Sequence, residues 1–168
     1  MIASALFYAP LNSQQGDARG SIPAISSADD QVQYAAKTRD QSHAPPRLPN
    51  FLPFLGSGDS VFLTSAKIET SGYDIELGFE PKCRGEHRCF YGSFKGSVTP
   101  FDPQDERPVR VQLVNGIQGL FYPPSIGAYC SDSSIRWTEH GFYYSIEMKC
   151  EAQEMMVKLA NSAVRNTR

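Results

Sequence analysis

The stretch SIRWTEHGFYYSIEMK at residues 134–149 constrains the fold most strongly, because apolar and polar residues alternate on both sides of a His-Gly pair. This pattern is typical of two half-buried strands joined by a tight turn. A two-residue turn at His140-Gly141 places Trp137 opposite Tyr144. One face of the hairpin then carries Ile135, Trp137, Phe142, Tyr144, Ile146 and Met148, and the other carries Ser134, Arg136, Thr138, Tyr143, Ser145 and Glu147. A slip of one residue mixes these faces, so the pattern itself selects the register.

A second hairpin is predicted upstream. The run YDIELGFE alternates apolar and polar residues, and the preceding VFLTSAKIET fits as its partner strand. A turn at Ser71-Gly72 places Ile68 opposite Ile75 and Ala66 opposite Leu77. The next strand is predicted in RCFYGSFKG, where the glycines indicate a bulge or a close backbone approach.

A third hairpin is predicted in VRVQLVNGIQGLFYP, since Asn115-Gly116 is the strongest short-range hairpin signal in the chain. A type I′ turn at this pair places Val111 opposite Leu120 and Val114 opposite Ile117. The preceding FDPQDERP is predicted to be a polar loop.

The chain closes with a predicted helix in EAQEMMVKLANSAVRN. Apolar residues recur there at helical spacing, at Ala152, Met155, Met156, Leu159 and Ala163. Glu151 and Glu154 in the first turn and Arg165 in the last suit the helix dipole. The helix must bury its apolar stripe, and the last hairpin is the nearest sheet. The predicted fold class is therefore α+β, an antiparallel sheet of about six to eight strands with one C-terminal helix packed on a sheet face.

The first 47 residues differ in composition from the rest. Positions 12–47 are rich in Ser, Gln, Asp, Ala and Pro and lack the apolar surface that offsets the entropy of ordering. We therefore expect a flexible leader at 1–47 and a single disulfide-stabilised domain at 48–168. The apolar start MIASALFYAP has two interpretations, the remnant of a signal segment or a hydrophobic terminus without a targeting role.

The overall composition argues against two classes of protein. The formal net charge of the 168 residues is −2, whereas a nucleic-acid-binding protein usually has a strong basic excess. No run approaches the roughly 20 apolar residues that span a bilayer. We therefore expect no nucleic-acid partner and no transmembrane span.

Four cysteines bear on the compartment. A zinc site at CRGEHRC is disfavoured, because structural zinc sites use more closely spaced pairs that recur, and a redox site is disfavoured because no C-x-x-C motif is present. The register of the last hairpin brings Cys130 within about one residue of the position opposite Cys150. Cys83 and Cys89 are left to close the shorter loop. We therefore predict the disulfides Cys83–Cys89 and Cys130–Cys150, and an extracytoplasmic location such as a periplasm, a lumen or the exterior.

Enzyme signatures are absent from the sequence, which contains no G-x-S-x-G, P-loop, G-x-G-x-x-G or H-E-x-x-H motif. The three histidines are predicted to be structural or inert. The acidic pairs Asp74/Glu76 and Asp102/Asp105 are assigned to solvent faces and loops. No catalytic residue, cofactor-binding residue or metal ligand is predicted. A carboxylate-based hydrolase stays open as an alternative, because carboxylate separation is a three-dimensional property.

The aromatic residues provide the remaining functional signal. Tyr122 and Tyr129 fall in the segment GLFYPPSIGAYC, and Tyr143 falls on the polar face of the last hairpin, as does Arg136. A rigid ring and a five-donor guanidinium are suited to recognition. We predict these four residues as a binding surface. The structural alternative for the Tyr-Pro loop is a rigid cover over a sheet edge.

The order of motifs resembles a known family. The chain contains C-x5-C-x2-G, then NGIQG followed by a Phe, a Cys, IRW, GFYYSI and a closing LANSA. This pattern is similar to that of uncharacterised small secreted or periplasmic proteins, best known from cyanobacteria, and the similarity covers residues 48–164. The resemblance implies an extracytoplasmic compartment and a shared fold, but no activity.

These features predict a non-enzymatic extracytoplasmic domain that acts as a binding or accessory module of a cell envelope or a larger assembly, with a protein as one candidate partner. The alternative hypothesis is a small hydrolase that acts on cell-wall or saccharide substrates through paired carboxylates. A flat sheet with exposed Tyr and Arg favours the first hypothesis. A buried carboxylate pair in a deep cleft favours the second.

Overall fold

A computed structural model describes residues 41–53, 60–102, 107–125, 127 and 130–166. Its strands are β1 (Phe62–Glu69), β2 (Gly72–Gly78), β3 (Phe90–Ser97), β4 (Val109–Gln112), β5 (Gln118–Tyr122), β6 (Asp132–Glu139) and β7 (Phe142–Lys149). All seven form one antiparallel sheet in the order β1-β2-β3-β7-β6-β5-β4. The helix α1 (Gln153–Arg165) packs on β6 and β7. The predicted α+β class, with one C-terminal helix on a sheet face, is confirmed.

The hairpin of β6 and β7 has the predicted register. Its pairs include Ile135–Ile146, Trp137–Tyr144 and Glu139–Phe142. His140 (φ 51°) and Gly141 (φ 83°) form the turn, and both lie in the left-handed region that a type I′ turn requires. The rings of Trp137 and Tyr144 stack with centroids 5.4 Å apart. The alternation of apolar residues therefore determined this register correctly.

The hairpin of β1 and β2 is also formed, but the predicted register is wrong by two residues. The turn is Thr70-Ser71 rather than Ser71-Gly72, so that Ile68 pairs with Tyr73 instead of Ile75. A slip of two residues leaves every side chain on its original face. Alternation therefore could not distinguish the two registers.

The predicted turn at Asn115-Gly116 is present, and both residues have a positive φ (59° and 75°). The ladder beyond the turn is one residue out of the predicted register, because Val111 pairs with Gly119 and not with Leu120. Leu113 continues this ladder, because its N–H donates to the carbonyl of Ile117 at 2.8 Å, so the loop holds the three residues Val114, Asn115 and Gly116 instead of two. The longer loop shifts the register by one residue and places Leu120 on the face opposite to that of Val111.

The pairing divides the side chains between two faces, because cross-strand neighbours point to the same side. The core face carries large apolar residues, which include Tyr73, Ile75, Phe94, Phe121, Ile135, Trp137, Tyr144, Ile146 and Met148. The other face, here called the polar face, carries Lys67, Asp74, Glu76, Ser93, Lys95, Arg136, Tyr143, Ser145 and Glu147. A Cβ at Gly96 would overlap the Tyr73 ring, and one at Gly92 would overlap Met148. Both glycines of β3 therefore permit a close approach, as predicted.

The helix covers the core face with one apolar stripe formed by Met156, Leu159, Ala160, Ala163 and Val164. Full burial of a Met or Leu side chain contributes about 1.5–3 kcal/mol, so this stripe anchors the helix on the sheet. Of the predicted stripe, Ala152 is instead the exposed N-cap residue and Met155 is half-buried. Glu154 and Arg165 lie in the first and last turns as predicted, whereas Glu151 precedes the helix.

The packed chain extends N-terminal to the predicted boundary at Leu48. Ala44 is fully buried, and Arg47 is only 5% exposed. The Arg47 side chain donates a hydrogen bond to Glu139, and its backbone N–H donates one to the Tyr73 hydroxyl. Residues 41–47 are therefore packed on the domain, although they were assigned to the leader. The rest of the predicted leader, 1–40, lies outside the described residues.

Candidate functional site

Both predicted disulfides are formed, Cys83–Cys89 and Cys130–Cys150, with Cα separations of 5.7 and 5.6 Å. The first closes a short loop before β3, and the second joins the residues that flank β6 and β7. Within the described part of the chain, no helix is long and apolar enough to cross a membrane. The same residues contain no group of three or more His, Cys, Asp or Glu side chains arranged to hold a metal ion.

A groove of about 440 Å³ lies on the polar face over β5, β6 and β7. We call it the aromatic groove, and its lining includes Phe101, Leu120, Tyr122, Arg136, Thr138 and Tyr143. Three of the four predicted binding residues therefore meet at one site. The fourth, Tyr129, lies outside the described residues.

Arg136 lies on the polar face, but it is half-buried and does not project freely into solvent. Its guanidinium lies between two rings, 5.6 Å from the centroid of Phe101 and 5.2 Å from that of Tyr122. Its Nη1 also donates a hydrogen bond of 2.8 Å to the backbone carbonyl of Asp102. Arginine is suited to this role because its planar cation stacks on aromatic faces. Arg136 therefore fixes the segment that contains Phe101 against the polar face.

Tyr143 keeps part of its side chain accessible at the groove. It is half-buried, whereas Tyr122 is only 8% exposed. Tyr143 pairs in register with Ser97 on one side and Thr138 on the other, and both of these neighbours have small side chains. Among the residues predicted for binding, Tyr143 is thus the one best placed to contact a ligand directly.

A second group of polar residues lies on the same face but does not line the aromatic groove. Burial raises the pKa of Glu147 above its usual range, an effect opposed by Lys95 and reinforced by Asp132. Burial also raises the pKa of Asp132, and His87 and Lys149 oppose that shift. Glu147 and Asp132, which interact electrostatically, are therefore the carboxylate pair on this face that bears on the hydrolase hypothesis.

The acidic pairs singled out in the sequence occupy different surroundings. Asp74 is half-buried on the polar face, and its Oδ2 lies 3.1 Å from the Nζ of Lys95. Glu76 is half-buried on the same face. Asp102 is exposed, and Asp105 lies outside the described residues. Asp74 is therefore part of a structural ion pair rather than of a carboxylate pair.

The loop CRGEHRC is held against the polar face by a lysine. The Nζ of Lys149 donates to the carbonyls of His87 and Arg88, at 2.8 and 3.2 Å. The imidazole of His87 is exposed and lies 4.0 Å from the Oδ1 of Asp132. Together with the Cys83–Cys89 disulfide, these contacts hold the loop against the sheet.

Sequence reasoning missed Phe101, which had been assigned to a polar loop. The available signal was its position as the sole aromatic residue in FDPQDERP, but the path of a loop over a sheet cannot be derived from periodicity.

The chain matches no protein-family model, no curated protein and no solved structure.

Proposed function

We propose that the protein is a non-enzymatic binding or accessory domain that works outside the cytoplasm, and that the aromatic groove receives its ligand or a segment of its partner. The observation that supports this most directly is the convergence of Tyr122, Arg136 and Tyr143 at one groove. Aromatic and arginine side chains dominate the binding energy of many interfaces. The groove is also of the size of known small-ligand sites.

The chemistry of the lining favours recognition over catalysis. Among the described residues that line the aromatic groove, Arg136 is the charged one, and the neutral polar side chains include Gln118, Thr138 and Tyr143. Such a surface can stack on a ring or an extended chain and can donate hydrogen bonds to it. The central strands of the sheet hold these groups in fixed positions, which lowers the entropic cost of binding.

The compartment is proposed from the disulfides. Two disulfides persist in an oxidising environment and are rare in the cytosol of most organisms. The motif resemblance to small secreted or periplasmic proteins supports the same location. A cell envelope or a larger extracytoplasmic assembly is therefore the setting in which we expect the partner.

The proposal is tested by capture of partners from an extracytoplasmic extract on the immobilised, oxidised chain. We expect Tyr143→Ala to lose the captured species and Tyr143→Phe, which keeps the ring, to retain most of it. The matched control is Val98→Ala, because Val98 is exposed and is not part of the groove lining. Equal capture by the wild-type chain and Tyr143→Ala would contradict the proposal.

The hydrolase remains a second candidate because of one observation, the half-buried Glu147 and Asp132 with raised pKa values. A raised pKa suits a general acid in glycoside hydrolysis. We rank this candidate lower because neither carboxylate lines the aromatic groove. Release of reducing ends from cell-wall polysaccharide by the wild-type chain, abolished in Glu147→Gln, would reverse the ranking.

A further inference from the structure

We propose that a second groove, on the helix side of the sheet, binds a small organic anion. This groove has a volume of about 450 Å³ and lies between α1 and the segment Asn50-Phe51. We call it the helix groove. Its location on the other side of the sheet makes it independent of the aromatic groove and of the function proposed for it.

One wall of the helix groove is a polar stripe of α1. Lys158, Asn161, Ser162 and Arg165 follow the spacing i, i+3, i+4 and i+7, which places them on the same side of a helix. The stripe lies beside the apolar stripe that packs on the sheet. The facing wall is Asn50-Phe51, which is tied to the helix because the backbone N–H of Asn50 donates to the hydroxyl of Ser162 at 3.0 Å.

Two of the three amides that line the helix groove, those of Asn50 and Asn161, use their oxygens within the protein. The Oδ1 of Asn161 accepts the backbone N–H of Val114 at 2.8 Å, and the Oδ1 of Asn50 accepts the hydroxyl of Ser162 at 2.6 Å. These hydrogen bonds fix the orientation of both amides, because oxygen and nitrogen are distinguished by the network around them. The oxygens of Asn50 and Asn161 are thus occupied, and their NH₂ groups are the atoms that can donate to a ligand. The Nδ2 of Asn166, the third amide of the lining, already donates to the carbonyl of Leu48 at 3.1 Å.

The charged residues that line the helix groove also favour an anion. Its two charged lining residues are the cations Lys158 and Arg165, and its lining within the described chain includes no carboxylate. Lys158 forms an ion pair of 2.8 Å with Glu154, but both side chains are largely exposed, so an anion in the groove can compete for the ammonium group. Arg165 also offsets the negative end of the helix dipole, which would otherwise disfavour an anion there.

Phe51, which forms the remaining wall of the helix groove, indicates the chemistry of the rest of the ligand. The Phe51 side chain is 37% exposed and borders the groove. An oxyanion alone would leave this ring in water, whereas an oxyanion attached to a ring or another apolar body would cover it. The site therefore fits a phosphate, sulfate or carboxylate carried on a small apolar body.

The probe for this site is phenyl phosphate, added to the full-length, oxidised, ¹⁵N-labelled chain and followed by NMR. We expect saturable shifts of the side-chain NH₂ signals of Asn50 and Asn161. Inorganic phosphate should bind about ten-fold more weakly, and benzyl alcohol should cause no saturable shift, because each lacks one half of the recognised ligand. Benzoate in place of phenyl phosphate distinguishes a carboxylate site from a phosphate site.

Asn161→Asp is the most informative variant, since it keeps the acceptor for Val114 but replaces the donor with a negative charge. We expect it to weaken phenyl phosphate binding by at least about ten-fold without a change in melting temperature. Lys158→Gln with Arg165→Gln should have the same effect, and the control pair Lys67→Gln with Arg84→Gln should have none. Absence of saturable shifts at Asn50 and Asn161, or equal affinity of Asn161→Asp and the wild-type chain, would overturn the proposal without affecting the aromatic groove.

Discussion

The Nε of Arg47 donates a hydrogen bond of 2.7 Å to the Oε2 of Glu139, and this contact joins residues that are 92 positions apart. Both side chains are almost buried, with 5% and 11% of their surface exposed. The guanidinium also lies 5.8 Å from the centroid of the Tyr144 ring. Burial raises the pKa of this tyrosine to about 12, although the nearby arginine opposes the shift. The pair fastens the N-terminal segment to the core face beside the last hairpin.

We predict that Arg47→Met lowers the free energy of unfolding by about 3 kcal/mol, because it leaves Glu139 buried without its cation. The double variant Arg47→Met with Glu139→Gln should recover part of that loss, since no uncompensated charge remains. Urea denaturation of the oxidised chain measures both values. Arg84→Met, at an exposed position, serves as the control. An Arg47→Met variant as stable as this control would show that the segment is not held by the ion pair.

Arg136→Ala is expected to lower the free energy of unfolding by about 1–2 kcal/mol, because it removes contacts with two rings and one backbone carbonyl. This differs from the expectation for a freely exposed arginine, whose removal would be nearly neutral. Arg136→Lys should recover only part of the loss, since an ammonium group cannot stack as a plane between Phe101 and Tyr122. A neutral Arg136→Ala in chemical denaturation would refute the role assigned to this residue.

The two disulfides should differ in their contribution to stability. Cys130–Cys150 spans 20 residues and Cys83–Cys89 spans 6. Loop-closure entropy then predicts losses of about 3 kcal/mol for Cys130→Ala with Cys150→Ala and about 2 kcal/mol for Cys83→Ala with Cys89→Ala. Urea denaturation of the two double variants tests the order. A larger loss for the shorter loop would indicate that packing of the buried sulfurs, rather than chain entropy, dominates.

The ionisation of Glu147 should make stability depend on pH. Burial raises the pKa of its carboxyl group, so the folded state binds the proton more tightly than the unfolded chain does. The stabilisation that the protonated Glu147 provides is complete at a pH below the ordinary pKa of a carboxyl group. It is lost as the pH rises through the raised pKa that Glu147 has in the folded state. Glu147→Gln should therefore raise the melting temperature at about pH 7, and the gain should shrink towards about pH 4. A gain that is constant with pH, or that matches the exposed control Glu80→Gln, would contradict this explanation.

The parts of the fold that could be predicted were those with local patterning. Trp137 and Tyr144 alternate with polar residues on both sides of a turn signal. The buried face, the turn and the register of this hairpin could therefore all be predicted. The one-residue shift between β4 and β5 could not be anticipated, because the Asn115-Gly116 signal is compatible with a loop of two residues and with a loop of three.

The residues of the candidate site also include some whose positions could be predicted from the sequence and some whose positions could not. The side of the sheet on which Tyr143 and Arg136 lie followed from alternation. The position of Phe101 above Arg136 depends on a loop, and outside the site the position of Arg47 depends on an ion pair with a distant residue. Neither contact leaves a periodic signal in the sequence. The pairing of the cysteines could be predicted from the sequence, because it depends on the register of the hairpin and on the length of the loop.

The assignment of the aromatic groove is tested by site-specific photo-crosslinking of the chain in the extracytoplasmic compartment that we propose for it. A photoreactive phenylalanine analogue is placed at Tyr143 or at Thr138, both of which line the aromatic groove, and at the exposed Ala66 of β1 as a control. We predict the same crosslinked partner or ligand at the two groove positions and none at the control position. Crosslinking from Ala66 alone, or with equal yield from all three positions, would contradict the assignment of the aromatic groove as the binding surface.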